Sequence, residues 1–167
     1  MPGRHCIERR VIIGIIRVAA TPADFTQARI LFEEYAAGLA VDLCFQGFAQ
    51  ELDALPQMYG APRGTLLLAE IEGSAAGCAG VRRLDSVICE LKRVYVRSAY
   101  RGSGLGRLLT ETALQAARDL GYSRIRLDTL PQMAPAQRLY ESLGFHDIDA
   151  YYGEPIPGQR FMEKDLS

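Results

Sequence analysis

The chain has 167 residues, 49% of them hydrophobic and 23% charged, with a formal net charge of -1. That length suits a single domain over residues 1–167 with one hydrophobic core, and the composition is that of a globular protein. So small a charge supplies no electrostatic attraction for nucleic acid or an anionic membrane surface, and the pairs Arg9-Arg10 and Arg82-Arg83 are too short to form a basic patch.

Residues 1–10 read as a loose tail. The apolar run Val11 to Ile16 behind two arginines imitates a leader peptide, but it is short and Arg17 interrupts it. It reads better as part of a strand over Ile12 to Ala19, and no run is long enough to span a membrane. Thr21-Pro22-Ala23-Asp24 is a helix start, with Thr21 as cap, Pro22 in the first turn and Asp24 at the positive end of the dipole. The helix should run to Leu39 with Phe25, Ala28, Leu31, Phe32 and Tyr35 on one face. A second helix is expected over Phe45 to Leu55, stopping at Pro56.

A meander of strands follows: Thr65 to Ile71, Ala76 to Arg83, and Val87 to Val96. Leu105, Leu108, Leu109, Thr112, Ala113, Ala116 and Leu120 then give an amphipathic helix closed by Gly121. Arg124 to Asp128 is a strand, Pro135 to Leu143 a helix closed by Gly144, and Phe145 to Tyr152 and Arg160 to Leu166 are the last two strands. The expected class is a mixed α/β (α+β) sheet. The cysteines Cys6, Cys44, Cys78 and Cys89 include no C-x-x-C pair, and His5 is the nearest histidine to any of them, so no metal is expected. Cys78 and Cys89 read as buried free thiols, which favours a reducing, cytoplasmic setting.

The sharpest signal is Val94-Tyr95-Val96-Arg97-Ser98-Ala99-Tyr100-Arg101-Gly102-Ser103-Gly104-Leu105-Gly106-Arg107. A strand enters a glycine-rich loop that opens directly into a helix. Such a loop lets the backbone approach an anion, and the helix start points unpaired N–H groups at it. Arg101 and Arg107 add charge. A P-loop needs a lysine after the glycines and none follows; the G-x-G-x-x-G spacing fails at Arg107 and at Leu109.

Arg101-x-x-Gly104-x-Gly106 after Val94-Tyr95-Val96 resembles the acyl-CoA-binding motif of the GNAT superfamily of N-acetyltransferases. Cys89 to Val96 resembles that family's fourth strand, and Ala136-Gln137-Arg138-Leu139-Tyr140-Glu141-Ser142-Leu143-Gly144-Phe145 resembles its A-x-x-L-Y-x-x-x-G-F segment. The resemblance covers about half of the chain, from Glu90 onward. It implies a central, mostly antiparallel sheet with helices on both faces, and acetyl-CoA as acyl donor. It also implies direct transfer to a primary amine of a small molecule or peptide. The cofactor would rest on Val94, Tyr95, Val96, Arg101, Gly102, Ser103, Gly104, Leu105, Gly106, Arg107, Met133 and Ala136. Met133 stands where relatives often carry an asparagine that anchors the pantetheine arm, a role a backbone contact would have to take over.

In the third meander strand Val94 and Val96 alternate, but Leu91 is out of step; one extra residue, a bulge, restores the pattern. The alternative is that Leu91 faces the other layer of a sheet buried on both sides. The family's strand is bulged and splayed there, freeing backbone N–H groups for the pantetheine arm and the thioester carbonyl. Glu90 is the candidate general base for the protonated amine, or else a salt-bridged surface group. Tyr140 is the candidate general acid for the departing thiolate, or else a packing tyrosine. Asp128 and Thr129 either touch substrate or cap a turn. Phe25, Phe32, Phe45, Phe48 and Tyr59 line an acceptor pocket or belong to the core, Tyr151 and Tyr152 have the same two readings, and His146 is expected to be exposed without a role. With no Ser-His-Asp or Cys-His arrangement, no covalent acyl-enzyme is expected. A non-catalytic acyl-CoA sensor of the same fold is the alternative to an enzyme, and the late strands with Gly153 to Gly158 leave a homodimer open.

Overall fold

The computed structural model describes residues 14–167, with Phe45 described by its backbone alone. The expected tail and the start of the first expected strand, Ile12 and Ile13, lie outside the described residues. β1 (Gly14–Val18) leads into α1 (Pro22–Ala37), whose start is closed by a capping box. The Asp24 N–H donates to Thr21 Oγ1, and the Asp24 carboxylate accepts from the N–H groups of Thr21 and Ala20 and from Arg17.

The next region differs from expectation. In place of one helix stopping at Pro56 there is a 3-10 turn over Leu43–Gln46, then α2 (Phe48–Asp53) and α3 (Leu55–Tyr59). Gly47, at φ +69°, breaks the path between the turn and α2. Pro56 falls in the first turn of α3, where its missing N–H has no helical partner to lose, so it opens a helix.

β2 (Thr65–Ile71), β3 (Ser74–Arg83) and β4 (Ile88–Val96) form the meander, followed by α4 (Leu105–Asp119), β5 (Arg124–Thr129), α5 (Ala134–Ser142), β6 (His146–Ile148) and β7 (Arg160–Asp165). β6 is much shorter than the strand expected over Phe145 to Tyr152. From Asp149 the chain leaves the sheet, and Tyr151 and Tyr152 turn their hydroxyls onto buried polar groups. The sheet order is β1-β2-β3-β4-β5-β7-β6, antiparallel throughout except for β4 beside β5.

Both faces are covered, as expected for this class. On one, Leu105, Leu109 and Ala113 of α4 and Tyr140 of α5 pack on Leu67, Ala79, Leu91, Ile125 and Leu127. On the other, Ala28, Leu31 and Phe32 of α1 and Leu55 and Tyr59 of α3 pack on Leu66, Leu68 and Cys78. Phe32 and Tyr59 are therefore core residues, while Phe25 and Phe48 are half-buried at its rim; the Phe45 side chain lies outside the described residues.

Candidate active site

The site begins with a gap in the sheet. β4 and β5 pair only from Ile88–Arg124 to Glu90–Arg126, yet β4 stays on β3 to Val96 and β5 stays on β7 to Thr129. The two strands therefore part after Glu90. β4 is also bulged: Gly80 pairs with Lys92 and Cys78 with Tyr95, so two steps on β3 oppose three on β4. The extra residue puts Leu91, Val94 and Val96 against the same core, which accounts for the broken alternation.

The bulge is held by Arg93, which sits at φ +57°, a region that a non-glycine residue occupies only when its surroundings insist. Its guanidinium, 3% exposed, donates to Glu51 through Nη2 at 2.7 Å and Nε at 3.2 Å. Burial pushes the Glu51 carboxyl upward, but Arg93 outweighs that and holds it below its ordinary range. Tyr59 donates to the same carboxylate at 2.6 Å, and its ring lies over Gly80, where a Cβ would stand 2.5 Å from the ring carbon Cε1. Gly80, Tyr59, Glu51 and Arg93 form one chain of contacts that sets the bend of β4.

Beside the bulge lies a cleft of about 340 Å3. Val94, Tyr95, Val96, Arg101, Gly106, Met133, Ala136 and Tyr140 line it, so the structure gathers eight of the expected site residues into one wall; Tyr35 of α1 and Leu39 just beyond it are among the others. Gly102 and Gly104, at φ +78° and +85°, shape the loop before α4. Gly104 caps α4 with no side-chain hydrogen bond, which leaves the first-turn N–H groups for an anion. Arg101 donates to the Val96 carbonyl at 2.9 Å and Ser103 to that of Tyr100 at 2.6 Å, tying down the loop. The Leu105 side chain belongs to the core, so only its backbone is free for a ligand. Arg107 reaches Glu111 and the Ser142 hydroxyl, joining α4 to α5.

Tyr140 packs edge-on against Phe145, and among the described residues its hydroxyl makes no hydrogen bond. Burial, with Tyr35 and Asp128 adding to it, pushes this phenol well above its ordinary range, so it holds its proton at neutral pH. Glu90 is placed differently. Its carboxylate is 1% exposed, one oxygen accepts from Arg82 at 2.8 Å and the other from the Tyr151 hydroxyl at 2.6 Å. It does not line the cleft with Tyr140. Ser103, Gly104 and Leu105 line a separate small pocket with Gly14 and Ile71, and Glu90 sits behind the splay, where β4 and β5 are still paired.

Sequence reasoning missed a second, polar cavity that shares Tyr35 with the first and is lined by Gln46, Lys92, Arg93 and Asp128. Lys92 reaches Asp128 at 3.3 Å. Asp128 accepts from Gln46 and Gln159 and is a buried polar partner; it caps no turn. Two consecutive cations inside a mostly apolar strand were the available signal. Gln46 and Gln159 carried none, being brought in by the 3-10 turn and by the loop before β7. Thr129 Oγ1 is buried and unpartnered among the described residues, and His146 is exposed. Among the described residues no group of His, Cys, Asp and Glu is arranged to hold a metal ion.

A bulged strand that splays from its parallel neighbour thus stands next to a glycine-rich helix start fit to hold an anion. The family model for the acetyltransferase (GNAT) family matches residues 29–145. The chain is 40% identical over 154 residues to an uncharacterized N-acetyltransferase of Schizosaccharomyces pombe, covering 91% of this chain and 94% of that one. It belongs to the GNAT acetyltransferase family. An acetyltransferase from Streptococcus agalactiae superposes with a TM-score of 0.74 at 23% identity, over 91% of this chain and 98% of that one. The structure of yncA from Salmonella typhimurium, which holds its cofactor acetyl-CoA, superposes with a TM-score of 0.68 at 24% identity, over 92% and 94% of the two chains.

Proposed function

We propose that the protein transfers an acetyl group from acetyl-CoA to a primary amine of a small molecule or peptide by direct attack in a ternary complex. The observation that carries this is the coincidence of three features on one cleft: the open first turn of α4, the splayed and bulged β4, and the Tyr140 phenol. The pyrophosphate would meet the N–H groups behind Gly104. The pantetheine arm would lie along Val94 to Val96, with Met133 and Ala136 opposite. Family membership and the acetyl-CoA held by yncA support the choice of donor.

The amine nitrogen attacks the thioester carbonyl, the new C–N bond forms and the C–S bond breaks. The amine loses a proton and the thiolate gains one. Tyr140, protonated and facing the cleft, is the donor to sulfur. For the proton leaving the amine, Asp128 is better placed than Glu90. It lines the polar cavity adjoining the cleft, whereas Glu90 lines neither that cavity nor the cleft. The test is a panel of primary amines with CoA release as readout and mass spectrometry of the product. Acetylated product from at least one amine is expected. Acetyl-CoA binding without CoA release from any amine would overturn the catalytic reading.

A further inference from the structure

The polar cavity is filled by the molecule itself. Gln46, on the 3-10 turn Leu43–Gln46, places its amide between opposite charges. Its Oε1 accepts from Arg93 Nη1 at 2.8 Å and from Lys92 Nζ at 3.4 Å. Its Nε2 donates to the Tyr152 hydroxyl at 2.9 Å and to Asp128 Oδ2 at 3.3 Å. The carbonyl end thus meets two cations, and the amino end meets a carboxylate and a phenol.

A neutral amide matches such surroundings poorly. A hydrogen bond gains when either partner is ionised, but unlike a carboxylate the amide adds no charge-charge attraction to Lys92 and Arg93. Lys92 shows the deficit: its ammonium, 4% exposed and with three protons to donate, makes hydrogen bonds only at 3.3 and 3.4 Å among the described residues, besides lying 5.9 Å from the Tyr152 ring centroid. Burial holds it below its ordinary range despite Asp128. The space left beside Gln46 is about 20 Å3, room for roughly one water. A ligand therefore enters only if the glutamine leaves. The turn that carries Gln46 is short, and it ends at Gly47 with φ +69°.

We propose that the acceptor carries a carboxylate on the carbon next to its amino group, as a free α-amino acid does, and that Gln46 is an internal stand-in for that zwitterionic head. The carboxylate replaces Oε1 between Lys92 and Arg93, and the amino group replaces Nε2 at Asp128. Asp128 lines the cavity that shares Tyr35 with the cleft, so an amino group held there stands beside the cleft that Tyr140 lines. This rests on the acetyl-transfer reading above, and it adds the class of amine.

The test uses matched pairs: each of a set of α-amino acids against the amine of the same side chain without the carboxylate, phenylalanine against phenethylamine for example. Turnover is read as CoA release, and binding by calorimetric titration into protein loaded with CoA. For the best pair, kcat/KM and affinity should favour the carboxylate-bearing member by at least about tenfold. Lys92→Met should cut that preference to about twofold. Gln46→Ala removes the stand-in, and should lower KM for the amino acid severalfold and by more than for the bare amine. Equal handling of both members, a rise in KM for both in Gln46→Ala, or a preference for peptide N-termini over free amino acids would each overturn the inference while leaving acetyl transfer intact. Carboxylate-dependent binding without CoA release would uphold the amino-acid site and sink the catalytic reading. Neither binding nor turnover by any pair would sink both.

Discussion

Glu51→Gln tests whether one buried ion pair holds the bulge of β4. Glutamine keeps the volume of Glu51 and an acceptor for the Tyr59 hydroxyl, but removes the charge facing Arg93. The guanidinium would then be a buried cation left with Gln46 and with the faces of Phe48 and Tyr35, whose ring centroids lie 5.2 and 5.8 Å away. Removing one partner of a buried pair costs roughly 3–5 kcal/mol. The retained hydrogen bond and the ring contacts return on the order of 1 kcal/mol. A loss of about 2–4 kcal/mol is expected, read as a lower urea midpoint with an unchanged slope. Because the bulge shapes the cleft, affinity for acetyl-CoA should fall at least about fivefold under conditions where the variant is folded. The pH dependence is specific. The Glu51 carboxyl is held below its ordinary range, so its contribution is present above the unfolded value of about 4.3 and is lost as pH falls through the folded one. The gap in stability between wild type and variant should therefore narrow below about pH 4. A gap that stays constant with pH, or a loss under about 1 kcal/mol, would show that the pair does not hold the bulge.

Tyr140→Phe keeps the ring packed on Phe145 and removes the proton donor; kcat should fall at least about tenfold with acetyl-CoA affinity changed by no more than a few-fold, and full kcat would make this tyrosine structural. A Cβ added at Gly104 meets no atom within 4 Å, so the cost of Gly104→Val comes chiefly from φ +85° and from a side chain where the pyrophosphate approaches; calorimetry should show acetyl-CoA affinity lowered more than about tenfold for roughly 1–2 kcal/mol of stability. Gly80→Ala drives a Cβ into the Tyr59 ring and should cost about 1–3 kcal/mol in thermal or urea unfolding, with a parallel loss of acetyl-CoA affinity through Glu51 and Arg93. Asp128→Asn should lower kcat/KM for the best amine by about 100-fold and Glu90→Gln by less than tenfold; the reverse order would return the base role to Glu90.

Several local rules carried from sequence to structure, although Pro56, read as a helix stop, opens α3. Thr21, Pro22 and Asp24 satisfy the first turn of α1 with their own atoms, the glycines before Leu105 supply left-handed backbone, and the leucine stripe of α4 has one face to bury. The out-of-step Leu91 announced the bulge, because strand side chains alternate strictly and only an extra residue restores the phase. The cofactor wall was legible for the same reason: strand, loop and helix are contiguous in the chain. Tertiary structure alone decided which side chains stand behind that wall. Arg93 is ordered by Glu51, 42 residues away, and Asp128 by Gln46, 82 residues away. Glu90 is engaged by a tyrosine that reaches it only because the chain leaves the sheet after β6. No periodicity registers such partners. A buried charge is tolerated only where a countercharge arrives from elsewhere in the fold, and that arrival is a property of the packed molecule.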